Sequence, residues 1–412
     1  MTSITSTRIL GLCLEMCSEK EKKLRVKNKI IHPLERSLGK DNGKEFILIK
    51  SFSRSAAGNI SCCDPKEIRP PYICRRTTNY LVQNVLFENI DCHQQLRLDW
   101  TRYHFVFDRL RAIRQDMIVQ KCDLMEPVFD YDEIIIHIHI LQVCVKFHLL
   151  ANYILGQSND NSDCPKNTKH SLVNNQFDQH INFTHLLECL KMILNYYESQ
   201  CLRICDSHLG PDNKKIVKNG NVERVEESII DMIAIYILLN IGSYHSYKWG
   251  LELNDKVKSN EKINRALKMH RLYVERNYIA IFKESRKLSL IHLLAFHWSL
   301  PHIFNEMLTV MSTAYSSKNC KFPLNHFIKM ISFDEQSKEK LVRYFKEKNI
   351  KVLETSSDSP NTLTAVNDLS TIFLCFDKNT YSQSVNIKWQ ELPYIDQKLD
   401  GCDLMSLLLD YD

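Results

Sequence analysis

Apolar side chains recur at helical spacing from about Tyr72 onward. In TTNYLVQNVLFENI, Tyr80, Leu81, Val85 and Leu86 follow the helical period, and in WTRYHFVFDRLRAIRQDMIVQ the set Trp100, Tyr103, Phe107, Leu110, Ile113 and Met117 does the same. Each pattern predicts an amphipathic helix with one core stripe. The next segment, YDEIIIHIHILQVCVKFHLLANYIL, is apolar all round. Its IHIHI alternation mimics a strand, while a length of roughly 20 residues favours a central buried helix over a strand of typically 4–8.

Residues 156–180 form a polar insertion rich in Asn, Asp and Ser, expected as a loop between helices. Helical pattern returns in FTHLLECLKMILNYYESQCL and EESIIDMIAIYILLNIGSY. It returns again in NRALKMHRLYVERNYIAIFKES, read as one helix, and in SLIHLLAFHWSLPHIFNEMLTVMSTAYS, which Pro301 is expected to break. A stack of helical hairpins accounts for this succession, although no fixed-period repeat signature is present.

The pattern changes after Lys318. FPLNHFIKMISF predicts a short helix with Pro323 near its start. DEQSKEKLVRYFKEKNI predicts a second, with Asp334 as candidate N-cap, and TLTAVNDLSTIFLCF reads as extended. Two short helices, the second basic, followed by a strand pair is the outline of a winged helix, in which the second helix is the usual groove-facing element. The tail ends in CDLMSLLLDYD, which suits a docking peptide or a terminal helix packed on the body. The expected division is therefore an N-terminal arm at 1–70, a helical stack at 71–317, a winged helix at 318–376 and a tail at 377–412.

Composition supports a mostly α fold. Gly is 10 and Pro 11 in 412 residues, which argues for long helices over many tight turns, and the length suits two or three units. The 15 cysteines are scattered and no secretory apolar region precedes them, so reduced, largely buried thiols are expected. The longest apolar run, IIIHIHILQVCV, is interrupted by His137, His139 and Gln142 and falls short of the roughly 18 residues of a membrane span, so no membrane partner is expected.

Net charge is a modest +5, but it is unevenly placed. KEKKLRVKNK at residues 20–29 carries six basic residues against one acid, and KEKLVRYFKEKNIK at 338–351 carries six against two. Each stretch reads either as a phosphate-facing patch or as a solvated helix face.

Signatures of catalysis are thin. The phosphate loop, dinucleotide fingerprint, nucleophile elbow and zinc-helix motifs are absent from the sequence, so an enzyme is the weaker class of reading and no cofactor is expected. His137 and His139 fall on different helix faces, which does not make a ligand set with His148. Cys13 and Cys17 stand four apart and can share one helix face as small buried apolar groups. A metal site there would need two more ligands, and the adjacent Cys62 and Cys63 chelate poorly. The densest polar constellation is DRLRAIRQDM. Its ion-pairing residues serve as a solvated helix face, or else Arg109, Arg111 and Arg114 fasten a neighbouring helix or a partner.

Four pieces, in order, resemble the conserved domain of the Sac/GANP/Thp family, scaffold subunits of a nuclear messenger-RNA export complex called TREX-two. GLCLEMCSEKEK resembles the family's opening motif at Gly11, Cys13, Met16, Cys17, Glu19 and Glu21, departing at Ser18, where the family has proline. IKSFSRSAAG resembles its second motif at Lys50, Phe52, Ser53, Arg54, Ser55 and Ala57. IRPPYICRRTTNYLVQNVL matches at Arg69, Pro70, Thr77, Tyr80 and Leu81. WTRYHFVFDRLRAIRQDMIVQ matches from Phe105 to Gln120, including Asp108, Arg109, Arg111, Arg114 and Asp116.

The resemblance implies a PCI-type helical stack ending in a winged helix, and a scaffold rather than a catalyst. The implied partners are a PCI-domain protein with a small acidic subunit, and RNA, in the nucleus. Lys338, Lys340, Arg343, Lys346 and Lys348 are where the nucleic-acid surface is expected. The chain also resembles the short animal form linked to centrosome duplication and spindle assembly, which implies centrosomal proteins as alternative partners. Upstream nucleoporin-like repeats and a downstream adaptor-binding helix are not expected. In the opening motif, Cys13, Met16 and Cys17 are expected to dock the segment on the stack, with Glu19 and Glu21 positioned for basic partners such as the arginines of DRLRAIR.

Overall fold

The computed structural model describes residues 9–41, 46–53, 64–90, 93–120, 131–156, 177–206, 220–331, 333, 337–355, 371–381 and 392–409. They begin with α1 (Glu19–Lys27), α2 (Pro33–Asp41) and α3 (Pro71–Leu81), then the hairpin β1 (Phe87–Ile90) and β2 (His93–Leu96). The long helices follow: α4 (Trp100–Val119), α5 (Tyr131–Gly156), α6 (Gln179–Asp206) and α7 (Gly220–Leu239). Next come α8 (Tyr244–Glu252), α9 (Asp255–Lys258), α10 (Glu261–Val274), α11 (Tyr278–Ser285) and α12 (Leu290–Ala314). The remainder is β3 (Phe322–Pro323), α13 (Leu324–Met330), α14 (Lys338–Glu347), β4 (Lys351–Thr355), β5 (Thr371–Cys375), α15 (Pro393–Asp400) and α16 (Leu404–Leu409). The fold is mostly helical, as the apolar periodicity predicts. The residues fall into two compact units, Met1–Met232 with Asp403–Asp412, and Ile233–Cys402, so the division lies within α7.

The first unit is organised around α5. Helices α3, α4, α6 and α16 pack on it, and α6 forms the longest pairing. Ile140, Leu141, Val143, Cys144 and Val145 are fully buried, so successive positions point to different neighbours and the sequence is apolar all round for that reason. Asp132–Gly156 is, by length and composition, long enough to cross a membrane, and most of it is buried inside the unit. Polar residues punctuate this run, and its buried histidines are hydrogen-bonded inside the unit. His137 Nδ1 meets Tyr196 Oη at 2.7 Å, and His148 Nδ1 meets Asn182 Oδ1 at 2.7 Å. The terminal leucines are settled as a packed helix, since α16 buries Met405, Leu408 and Leu409.

The helix expected to run through Val85 and Leu86 ends earlier. After α3 the chain makes one π-helical turn, Val82–Leu86, and then enters β1, which pairs antiparallel with β2 in the register Phe87↔Leu96 to Ile90↔His93. Val82, Val85 and Leu86 are buried in this wider turn, so their spacing satisfies either geometry.

In the second unit α10 packs on α8, α9 and α11, α11 packs on α12, and α12 packs on α15. Two expected boundaries are exchanged here. The stretch read as one helix is divided at Glu275–Asn277, whereas α12 passes through Pro301 unbroken. Arg276 takes φ 57° in a Schellman-type end, with Asn277 N–H donating to Leu272 O at 2.8 Å, and the Asn277 side chain then caps α11 through Ala280 N–H. Proline in a helix interior costs about 3 kcal/mol. Around Pro301 this is offset by the complete burial of Leu300, Ile303 and Phe304. The same helix ending recurs with Lys29 after α1 and Asn349 after α14, so a chain poor in glycine closes three helices on larger residues.

Helices α13 and α14 lie beside a three-stranded antiparallel sheet of order β3-β5-β4. The register runs from Lys351↔Cys375 to Thr355↔Thr371, with Phe322↔Leu374 on the other side. Pro323 sits on an edge strand, where a missing N–H costs no ladder bond. The expected order of helix, helix and strands is present, with β3 as an addition and α14 starting at Lys338. Asp334 and residues 157–176 of the polar insertion lie outside the described residues.

Buried His148 generates a pH prediction. Asn182 Nδ2 donates to His148 O at 3.0 Å, which leaves Asn182 Oδ1 as the acceptor, so His148 Nδ1 carries the proton of a neutral ring. Burial pushes its pKa down to about 3. The unfolded chain therefore binds one more proton than the folded chain between about pH 3 and the unperturbed value near 6.5, and stability rises with pH across that window. Urea titrations should show about 1.4 kcal/mol lost per pH unit below about 6.5 from this residue, and His148→Gln should flatten the slope by one proton.

Candidate functional site

The first candidate site is the junction between the N-terminal arm and α4. Residues 9–17 and 46–53 run mostly without regular structure, yet every family-motif position described there meets a partner. Gly11 N–H donates to Gln120 Oε1 at 2.9 Å, and a Cβ on Gly11 would come within 2.6 Å of Ile68 O, so only glycine allows this approach. Cys13 and Cys17 are buried, and Met16 O accepts from Lys50 N–H at 3.0 Å and from Arg69 Nη1 at 3.4 Å. Ser18 has φ −69° and ψ 150° and caps α1, its Oγ accepting from Glu21 N–H. That backbone suits proline equally, so the register is kept where the motif departs.

Two buried carboxylates hold the junction. Glu35 Oε1 accepts from Ile49 N–H at 3.1 Å and Arg109 Nη2 at 3.2 Å, while Oε2 accepts from His32 N–H at 3.1 Å and pairs with Arg25. Asp116 Oδ1 accepts from Lys50 Nζ at 2.5 Å and Oδ2 from Arg69 Nε at 2.6 Å. Burial alone would lower the Arg69 guanidinium, and Asp116 more than offsets this and holds its pKa above the ordinary value. Pro70 caps α3 and is buried beside this pair. Gln120 closes the stripe by donating to Arg69 O and Asp116 O, each at 2.8 Å.

The arginines of DRLRAIR turn inward. Arg109 also meets Asp108 Oδ2 at 2.7 Å, and Asp108 accepts from Phe52 N–H at 3.1 Å. Arg111 lies 3.9 Å from the Phe52 ring centroid. Arg114 reaches α6 at Cys189 Sγ, 3.2 Å, and His185 Nδ1, 3.1 Å. Ser53 O accepts from Gln115, while Arg54 and Ser55 lie outside the described residues. Glu19 and Glu21 face basic partners, but these are not the arginines of DRLRAIR. Glu19 pairs with Lys22 at the surface, and Glu21 accepts from Ser51 N–H and Oγ and faces Arg25 at 3.6 Å, because α1 places them one turn from their own basic residues. Glu35 and Arg25 are the buried ion pair of the junction that sequence reading missed. An isolated Glu in HPLERS carries no signal that it is fully buried.

The second candidate is the basic face of α14. Leu341, Tyr344 and Phe345 are buried, and Lys340, Arg343, Lys346 and the neighbouring Lys351 are exposed, with Lys338 half-buried. Arg343 faces Glu347 at 3.3 Å and Lys346 faces Glu354 at 3.8 Å, but these exposed pairs leave both cations in solvent. Lys348 departs from the expected set. It is fully buried, its Nζ lies 5.8 Å from the Tyr344 ring centroid, and burial lowers its pKa.

Two expectations follow from the arm junction. Glu35→Gln, which strands two buried guanidinium groups, should cost about 3–5 kcal/mol in urea unfolding, whereas exposed Glu19→Gln should leave the urea midpoint unchanged. Burial, followed by the charge of Glu21, pushes the Cys17 thiol up to about 12, so no thiolate forms at pH 8. Iodoacetamide and mass spectrometry should therefore find Cys17 protected while half-buried Cys320 and Cys375 are modified.

Comparison with known proteins places these motifs in a lineage. The chain is 32% identical to SAC3 family protein 1 of Schizosaccharomyces pombe over 154 residues, covering 36% of this chain and 14% of that protein. It is 23% identical to SAC3 family protein B of Arabidopsis thaliana over 345 residues, 82% of this chain and 17% of that protein. It is also 23% identical to Protein xmas of Drosophila melanogaster over 349 residues, 81% of this chain and 14% of that protein. The chain thus spans less than a fifth of the length of these curated relatives. A family match extends over residues 16–354, from Met16 in the arm junction through α14, and the chain belongs to the SAC3/GANP family.

Proposed function

We propose that this protein is a non-enzymatic scaffold of nuclear messenger-RNA processing and export, binding RNA and a PCI-domain partner that carries a small acidic subunit. Residues 318–376 act in this reading as a winged helix, and α14 is its nucleic-acid element. The observation that carries it is the outward face of α14, where Lys340, Arg343 and Lys346 are exposed and Lys338 half-exposed around a buried Leu341–Tyr344–Phe345 stripe. Cations held on a rigid helix suit phosphates, whose binding is electrostatic and largely independent of sequence. Membership of the SAC3/GANP family supports a role in export or a related process.

Fluorescence anisotropy with a short single-stranded RNA tests the proposal. Reversing Lys338, Lys340, Arg343 and Lys346 to Glu should weaken binding and reduce the log–log salt slope by about 3, since each phosphate that is no longer neutralised removes about 0.7 from it. Lys348 is left intact in that variant because it is buried. Unchanged affinity and slope would remove α14 as the RNA surface.

A further inference from the structure

The first unit carries an open groove of about 520 Å3, walled by the arm on one side and α3 on the other. Leu14, Met16 and Phe46 line it from the arm and Ile73 and Arg76 from α3. Leu10, Leu12 and Leu14 are 55, 60 and 62% exposed while Cys13 among them is buried. The segment is fixed by Leu12 N–H to Pro65 O at 2.8 Å and Cys13 N–H to Ile68 O at 2.9 Å. On α3, Tyr72 is 55% exposed and stands four residues before Arg76, on the same helix side. Single exposed leucines are ordinary, but Leu14 is exposed within a groove whose lining also includes Met16, Phe46 and Ile73, and exposed apolar surface in a concave site marks an interaction site.

Charge selects the occupant. Lys22 on the arm wall is engaged by Glu15 and Glu19, whereas exposed Arg76 has no acidic partner among the described residues. A second copy of this face offers no spare carboxylate, because its Glu15 is held by Lys22. A bilayer cannot enter a concave site walled on both sides. We propose that the groove docks an acidic amphipathic segment of a partner protein, with bulky apolar side chains against Leu14 and Ile73 and a carboxylate on Arg76. This stands independently of RNA binding by α14.

The test uses fluorescein-labelled synthetic peptides in which Leu, Met or Phe repeat at helical spacing among Glu residues, with a matching series carrying Lys for Glu. Fluorescence polarisation against the full chain should show binding by the Glu series and not by the Lys series. Leu14→Lys and Arg76→Glu should each weaken it at least about tenfold with unchanged thermal melting, since both side chains are exposed, and Arg76→Glu should turn the preference toward the Lys series. Binding by neither series, or binding indifferent to both substitutions, overturns the proposal. Self-association of the chain that Leu14→Lys abolishes also overturns it, by making a second copy the occupant.

Discussion

Glu35 is wholly removed from water, and the arrangement of the N-terminal third follows from the need to compensate its charge. Stripping a carboxylate of solvent costs several kcal/mol unless other groups replace its hydration. Here the replacements come from four places: Arg25 on α1, the His32 N–H before α2, the Ile49 N–H in the irregular stretch, and Arg109 on α4. Arg25 in turn donates to Ile30 O and Ile49 O, both at 3.1 Å. None of these segments can leave without orphaning a buried charge on the others, so they dock together or not at all. A buried charge set of this kind contributes definition more than net stability. That suits an arm with few regular elements of its own.

Asp116 repeats the logic two turns further along α4. Asp108, Asp116 and Gln120, on one helix face, meet successive parts of the arm, and Ala112 between them is fully buried. The groove beneath Leu14 is a product of these two clamps. Its arm wall contains Met16, whose carbonyl is held by Lys50 and Arg69, and Ile47, whose N–H donates to Glu35 O at 2.9 Å. Surfaces built on irregular chain are usually poorly defined, and this one is rigid because ions buried behind it fix the backbone.

How much of this was legible in the sequence depended on whether a signal was periodic. The long helices were legible because burial against several neighbours imposes the helical period, and the motif residues from Gly11 to Gln120 identified the junction. Glu35 was not legible, since burial of a lone carboxylate depends on partners 10 and 74 residues away. The exchanged boundaries in the second unit have the same root. Pro301 is a strong local signal overridden by packing, whereas the break at Arg276 needed Asn277 to be weighed as a cap, a local signal that was present and outvoted by apolar spacing.

Lys348 shows that counting charge overstates a basic surface when the helical period is ignored. It falls three and four residues after Phe345 and Tyr344, on the stripe that α14 buries, so its direction was contained in the spacing. The outward face that remains, with Lys351, sets five cations, Lys338, Lys340, Arg343, Lys346 and Lys351, against three exposed carboxylates, Glu339, Glu347 and Glu354. Five minus three leaves a net charge of two. A face so nearly balanced engages few phosphates by itself, and electrostatic affinity grows with the number engaged. In the proposed reading α14 then contributes a few phosphate contacts, and a partner module carrying a second basic surface would add to them, so that the chain would supply half of a site that assembly completes.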